Sequence, residues 1–240
     1  MTESIAERLK SVRDRMAVAA GRSGRNPDRI TLVVVTKGVD PIRSRRAIEA
    51  GAAVLGENRV QEALEKIEVL SSFGRRAEAG AGKGDVRWHL IGHLQRNKVK
   101  QAVGCFELIH SVDDSELARE INQRAEQAGI IQKVLIQVNV AREVTKHGVP
   151  PEGLEALVHE AAGLPHLSLE GLMTIPPLTD DPEGSRTYFR WLAEKAEGLR
   201  QAGLPVRELS MGMSGDFEVA IEEGATLIRV GTAIFGPRGK

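Results

Sequence analysis

Ile30-Thr31-Leu32-Val33-Val34-Val35-Thr36-Lys37 opens with six consecutive strand-favouring positions, five of them β-branched and the sixth Leu32. The run shows no apolar/polar alternation, which is the pattern of a parallel strand covered on both faces. Lys37 follows at once, where such a strand emerges from the core. A lysine there has two readings. It is a solvated surface charge, as most lysines are, or it is an amine at the carboxyl end of a buried strand, pointing into a site. In the second case partial desolvation lowers its pKa from about 10.4 and makes it a candidate for Schiff-base formation.

The rest of the chain alternates further strands with helices, without an internal sequence repeat. Upstream, Ile5, Leu9, Val12, Met16 and Ala19 or Ala20 recur at spacings of three and four, predicting an amphipathic helix over 3–20 that Gly21 ends. Downstream, strands are predicted at 53–55, 86–91, 105–109, 134–140, 167–173, 207–210 and 226–230. Helices are predicted at 42–50, 60–70, 97–103, 115–128, 151–162 and 183–202, with a last one ending at Glu223. The glycine- and alanine-rich stretch 74–84 reads as a loop or insertion. A helix in every gap between strands predicts a parallel sheet, and a count of eight strands favours a (β/α)8 TIM barrel over an open doubly wound sheet. Ten residues follow the eighth strand, too few for a full helix, so the extra N-terminal helix is expected to cover the gap between strands eight and one. Residues 1–240 read as a single domain.

Composition narrows the function classes. Thirty-three basic and 33 acidic side chains cancel, which removes any global electrostatic reason to bind nucleic acid or an anionic membrane. An apolar fraction of 41% is ordinary for a globular protein. Cys105 is the single cysteine, so no intramolecular disulfide exists and a reducing cytoplasm is expected. No secretory signal and no run of about 20 apolar residues is visible.

In a barrel of this kind, sites form from residues just after the strands. Collecting them gives Lys37, Asn58, Gly92, Ser111, Asn139, Thr174, 210–216 and 229–232. Ser210-Met211-Gly212-Met213-Ser214-Gly215-Asp216 joins strand seven to a helix, with Ser214 placed to cap it. Arg229-Val230-Gly231-Thr232 follows strand eight and adds another glycine and a hydroxyl. Each loop alone is an ordinary glycine turn. Together they occupy the usual phosphate site of the fold. A lysine amine from strand one, the neighbour of strand eight, with a fixed cation at Arg229, suggests pyridoxal 5′-phosphate (PLP) held as a Schiff base on Lys37. His89 and His93 are four apart but straddle a strand end and a turn with no acidic or cysteine partner in sequence, so no metal site is predicted. Gly212-Met213-Ser214-Gly215 lacks the frame of a hydrolase elbow. Trp88 and Trp191 read as packing residues, and Arg43, Arg45 and Arg46 as a solvated face.

Several stretches carry a resemblance. They are Val35-Thr36-Lys37, Gly56-Glu57-Asn58-Arg59-Val60-Gln61-Glu62, and Trp88-His89-Leu90-Ile91-Gly92-His93-Leu94-Gln95-Arg96-Asn97-Lys98. Further on come Gly171-Leu172-Met173-Thr174-Ile175, the 210–216 loop, and Arg229-Val230-Gly231-Thr232-Ala233-Ile234-Phe235-Gly236. With these the chain resembles the pyridoxal phosphate homeostasis protein family, related to the barrel domain of alanine racemase. The resemblance implies that Lys37 forms the Schiff base, that Ser214, Gly231 and Thr232 hold the phosphate, and that Arg229 faces the pyridine nitrogen. It also implies that Asn58 lies near the cofactor.

Two functions compete. One is a carrier or reservoir that sequesters PLP and releases it to PLP-dependent apo-enzymes; the other is a PLP-dependent racemase or related enzyme. Two-base racemisation needs an acid/base on each face of the substrate, and related racemases take the second, a tyrosine, from a C-terminal β-domain. No such β-domain is expected here, and the single tyrosine, Tyr188, lies in a predicted helix far from the strand ends. The carrier reading is therefore expected, without catalytic residues. A monomer is expected as well, because the β-domain supplies the usual racemase dimer contact.

Overall fold

The β-branched run closes into a strand at Thr31–Val35 (β1), with Thr36 and Lys37 just beyond its end. In the computed structural model, which describes residues 3–74 and 86–237, seven more strands follow. These are β2 (Val54–Glu57), β3 (Arg87–Leu90), β4 (Leu108–Val112), β5 (Gln132–Val138), β6 (Leu167–Thr174), β7 (Glu208–Ser210) and β8 (Leu227–Val230). They pair in chain order into a closed barrel, and every pairing is parallel. The fold is the expected (β/α)8 barrel.

Nine α-helices are among the described residues: α1 (Ile5–Arg22), α2 (Pro41–Glu49), α3 (Val60–Gly74), α4 (Val99–Ala102), α5 (Ser115–Ala128), α6 (Leu154–Ala162), α7 (Arg186–Gln201), α8 (Phe217–Glu222) and α9 (Thr232–Phe235). α1 begins at a capping box in which Ser4 and Glu7 satisfy each other's amides. Its buried stripe of Leu9, Val12, Met16, Ala19 and Ala20 lies against α2, α8 and α9. The N-terminal helix thus covers the gap between β8 and β1, as expected. α3 runs on to Gly74; most of the predicted 74–84 loop lies outside the described residues.

Side chains divide by the two-residue period of the strands. Val34, Leu55, Val134, Ile136, Ile228 and Val230 join the core beneath the helices. Val33, Val35, Val54, Ile91, Leu108, Leu135, Met173 and Leu227 form a separate inner cluster, the floor of the lumen. Lys37 lies two residues past the end of β1.

The fourth strand departs from expectation. Instead of 105–109 it spans Leu108–Val112. Cys105 lies in a turn after α4, where Gly104 takes a φ of 77° and the Cys105 amide donates to the Ala102 carbonyl. Pairing with β3 starts only where the Glu107 amide reaches the Trp88 carbonyl at 2.8 Å. His110 and Ser111, expected at or past the strand end, are fully buried strand residues. The register against β5 shifts between Ile109 and Val112, an irregularity of the kind that re-aims side chains beside functional sites.

Candidate ligand site at the carboxyl end of the barrel

β1 and β8 pair through Val34–Val230, which brings the segments after both strands to the same part of the rim. The contact is close because residue 231 is glycine: a Cβ there would lie 3.2 Å from Val35 Cβ and 3.3 Å from the Val35 carbonyl oxygen. Gly231 therefore backs onto β1 two residues before Lys37, which is half-buried. Ser214 does not cap the helix after β7. Asp216 holds that position, its carboxylate accepting from the Met213 amide at 2.6 Å and from the Ser185 hydroxyl at 3.0 Å. The Ser214 hydroxyl instead accepts from the Gly231 amide at 3.2 Å and the Ala233 amide at 3.3 Å. It bridges the two loops, and Thr232 lies exposed between those two amides. Two backbone N–H groups converging on one oxygen are an arrangement that suits an anion.

Arg229 belongs to β8 itself and does not follow it. Only 4% exposed, it donates to Ser210 Oγ at 2.6 Å and to the Thr174 carbonyl at 2.8 Å. Burial brings its pKa down to about 10, with the Asp216 charge opposing, so it remains a cation at neutral pH. Ser210 Oγ lies 2.8 Å from His110 Nδ1, and His110 Nε2 lies 3.0 Å from His89 Nδ1. A guanidinium only donates, so Ser210 Oγ accepts from Arg229. The Ser210–His110 and His110–His89 contacts take the direction that the imidazole tautomers set. Burial holds both imidazoles neutral. His89 is lowered to about 3, with Arg87 and Lys133 assisting. His110 is well below its ordinary value, with His89 and Arg229 adding to the effect of burial.

A second buried cluster lies behind Lys37. Lys66 Nζ donates to the Thr36 carbonyl at 2.5 Å and to Glu57 and Glu62 at 2.7 Å each. The Thr36 hydroxyl donates to the same Glu57 oxygen at 2.6 Å, and Glu62 accepts from the Gly38 amide at 2.6 Å. The backbone on both sides of Lys37 is thereby clamped. Burial raises the Glu57 pKa against the hydrogen bonds from Lys66 and Thr36. At Glu62 burial is outweighed by the bonds from Lys66 and Gly38, and its pKa falls. Asn58, just past β2, is half-buried, and Gly92 presses on it so closely that a Cβ at 92 would sit 2.4 Å from the Asn58 carbonyl oxygen.

The lumen column and the Lys66 clamp both escaped the sequence reading. The column left one signal: His89 is a polar interruption in a buried apolar strand. The clamp left only an ordinary Glu62–Lys66 helical pair.

Residues 8–239 match the alanine racemase N-terminal domain family. A pyridoxal phosphate homeostasis protein of Aquifex aeolicus (strain VF5) is 47% identical over 233 residues, covering 97% of each chain. The chain belongs to the pyridoxal phosphate homeostasis protein family. The family's Escherichia coli (strain K12) protein is 37% identical, over 98% of this chain and 97% of its own. The family barrel is also seen in PipY of Synechococcus elongatus PCC7942, solved with PLP bound. That structure matches with a TM-score of 0.82 at 36% identity, over 97% of this chain and 100% of PipY.

Proposed function

We propose that this chain binds PLP covalently through the Lys37 amine and acts as a carrier or reservoir in intracellular PLP homeostasis. Ser214, Gly231 and Thr232 surround the phosphate, Arg229 faces the pyridine nitrogen, and Asn58 lines the site. The observation that supports this reading is the β1–β8 pairing, which brings the segments holding Lys37 and Gly231 to the same part of the rim. The residues fit the ligand: Ser214 Oγ rests against two amides where a phosphate oxygen would be received. When bound, PLP supplies an aldehyde that condenses reversibly with an amine, releasing water. The buried cation of Arg229 discourages a proton on a nitrogen placed against it, which suits storage better than carbanion chemistry.

The carrier reading gains support from what the lumen offers as bases. Tyr188 lies in α7, outside the barrel wall. His89 and His110 are weak bases committed to the column. On this reading the protein works in the cytoplasm as a single-domain monomer and hands PLP to PLP-dependent apo-enzymes. Burial raises the Cys105 thiol pKa, which suits an inert thiol. Among the described residues no helix is long and apolar enough to cross a membrane.

The test is an absorbance spectrum of purified protein before and after borohydride reduction, with peptide mapping. A reducible band near ~420 nm, expected of a lysine imine, should map to Lys37 and vanish in Lys37→Ala. Retention of the band in that variant refutes the assignment.

A further inference from the structure

We propose that His93, Asp113 and His147 form a second site on the barrel rim, binding one borderline divalent metal ion of the zinc class. The three residues come from three different loops. His93 follows β3, Asp113 follows β4, and His147 lies in the loop after β5. Their ligand atoms all lie within 4.8 Å of one another. The two imidazoles stack at 3.7 Å with 7° between their planes, and both Nδ1 atoms approach the same oxygen, Asp113 Oδ2, at 3.7 Å and 4.0 Å. Neither distance is a hydrogen bond. Three ligand atoms from three loops thus gather in one place; the in-plane lone pairs of stacked rings run parallel, so one imidazole turns about its Cβ–Cγ bond for both to reach a single ion.

The spacing suits an ion. Donors on a tetrahedral zinc with bonds of about 2.0–2.1 Å sit about 3.3 Å apart. The two Nδ1–Oδ2 distances exceed that spacing by about 0.4–0.7 Å. Two histidines and a carboxylate leave a fourth position for water or an outside ligand.

The surroundings point the same way. Asp113 is largely buried, its side chain 11% exposed, and among the described residues its Oδ1 has no hydrogen-bond partner. The His147 loop is held in place from below. Gln137 donates to the His147 carbonyl at 2.9 Å, and the Asn139 side chain bonds the backbone of Glu143 and Lys146. These bonds order the loop that carries His147. The sequence reading paired His93 with His89, which turns instead into the lumen. The acidic partner it lacked comes from the next strand. The loops involved follow β3 to β5, on a different part of the rim from the phosphate loops after β7 and β8, so the inference goes beyond the PLP reading.

The test is calorimetric titration of chelator-stripped, untagged protein with zinc chloride, with melting temperature as a second readout. One strong site and a higher melting temperature are expected. His147→Ala, at a side chain 57% exposed and so safe for folding, and Asp113→Asn should each weaken binding at least about tenfold. His159→Ala, at an exposed position on α6, should leave it unchanged. Binding should also persist in Lys37→Ala, which separates this site from an ion captured by cofactor. No zinc binding, equal binding in His147→Ala and Asp113→Asn, or loss in either control variant would overturn the proposal.

Discussion

Replacing Lys66 by Met removes one charge from the cluster behind Lys37 while keeping an unbranched stem. Lys66 is 4% exposed and Glu57 is fully buried. After the change Glu57 keeps only the Thr36 hydroxyl, since its second oxygen has no partner among the described residues. Breaking a buried ion pair from one side costs about 3–5 kcal/mol, because the remaining charge stays desolvated. The Glu62 carboxylate is 29% exposed, so losing that pair adds no more than about 1 kcal/mol. For a chain of this length the buried term alone lowers the melting temperature by roughly 6–20 °C.

The pH dependence distinguishes a desolvated carboxylate from simple loss of packing. Burial already raises the Glu57 pKa with Lys66 present, and without Lys66 it rises further. A carboxyl whose pKa is higher in the folded state binds more protons folded than unfolded. Stability therefore falls as pH rises from the ordinary carboxyl value through the raised one. The deficit of Lys66→Met should shrink as pH falls through the raised Glu57 value and be largest above it, at about pH 8. The Glu57→Gln/Lys66→Met double variant should recover much of it. Thermal unfolding followed by circular dichroism across that range measures the effect. A deficit within about 0.5 kcal/mol at pH 8, typical of surface sites, or one that does not change with pH, refutes the reasoning.

Two further outcomes test the ligand contacts. Ser214→Ala should weaken PLP about tenfold, the loss of roughly one hydrogen bond to a charged group, read as a Kd by spectral titration; an unchanged Kd removes Ser214 from the phosphate site. Arg229→Glu should favour a protonated pyridine nitrogen and shift the spectrum of the PLP-loaded protein, whereas an unchanged spectrum and affinity would mean that Arg229 does not face the ring.

What the sequence discloses here is whatever hydrophobic pattern governs. β1 is legible because Thr31–Val35 has no polar break, and α1 because its stripe keeps helical spacing. The count of strands and helices, and hence the barrel, follows from such runs. The convergence of the loops after β7 and β8 follows from the barrel. The failures share a cause. At β4 the apolar Cys105 and Phe106 imitate a strand, while His110 and Ser111 imitate its end. Pattern reading assumes that buried means apolar, but the barrel lumen is a place where buried polar residues satisfy one another. Arg229 falls inside the predicted strand 226–230, and it donates to the serine at the end of the column. Ser214 stands next to a helix along the chain, but the amides it accepts from come from a loop that begins 17 residues later. The Lys66 clamp shows the limit most clearly. Glu62–Lys66 has the spacing of any solvent-facing helical pair, whereas Glu57–Lys66, nine residues apart, joins a strand end to a helix and has no period at all. Only closure of the barrel turns that lysine inward. Once turned, it must bring two carboxylates with it to be tolerated in the interior, and the backbone it then holds is that of Thr36, the residue before Lys37.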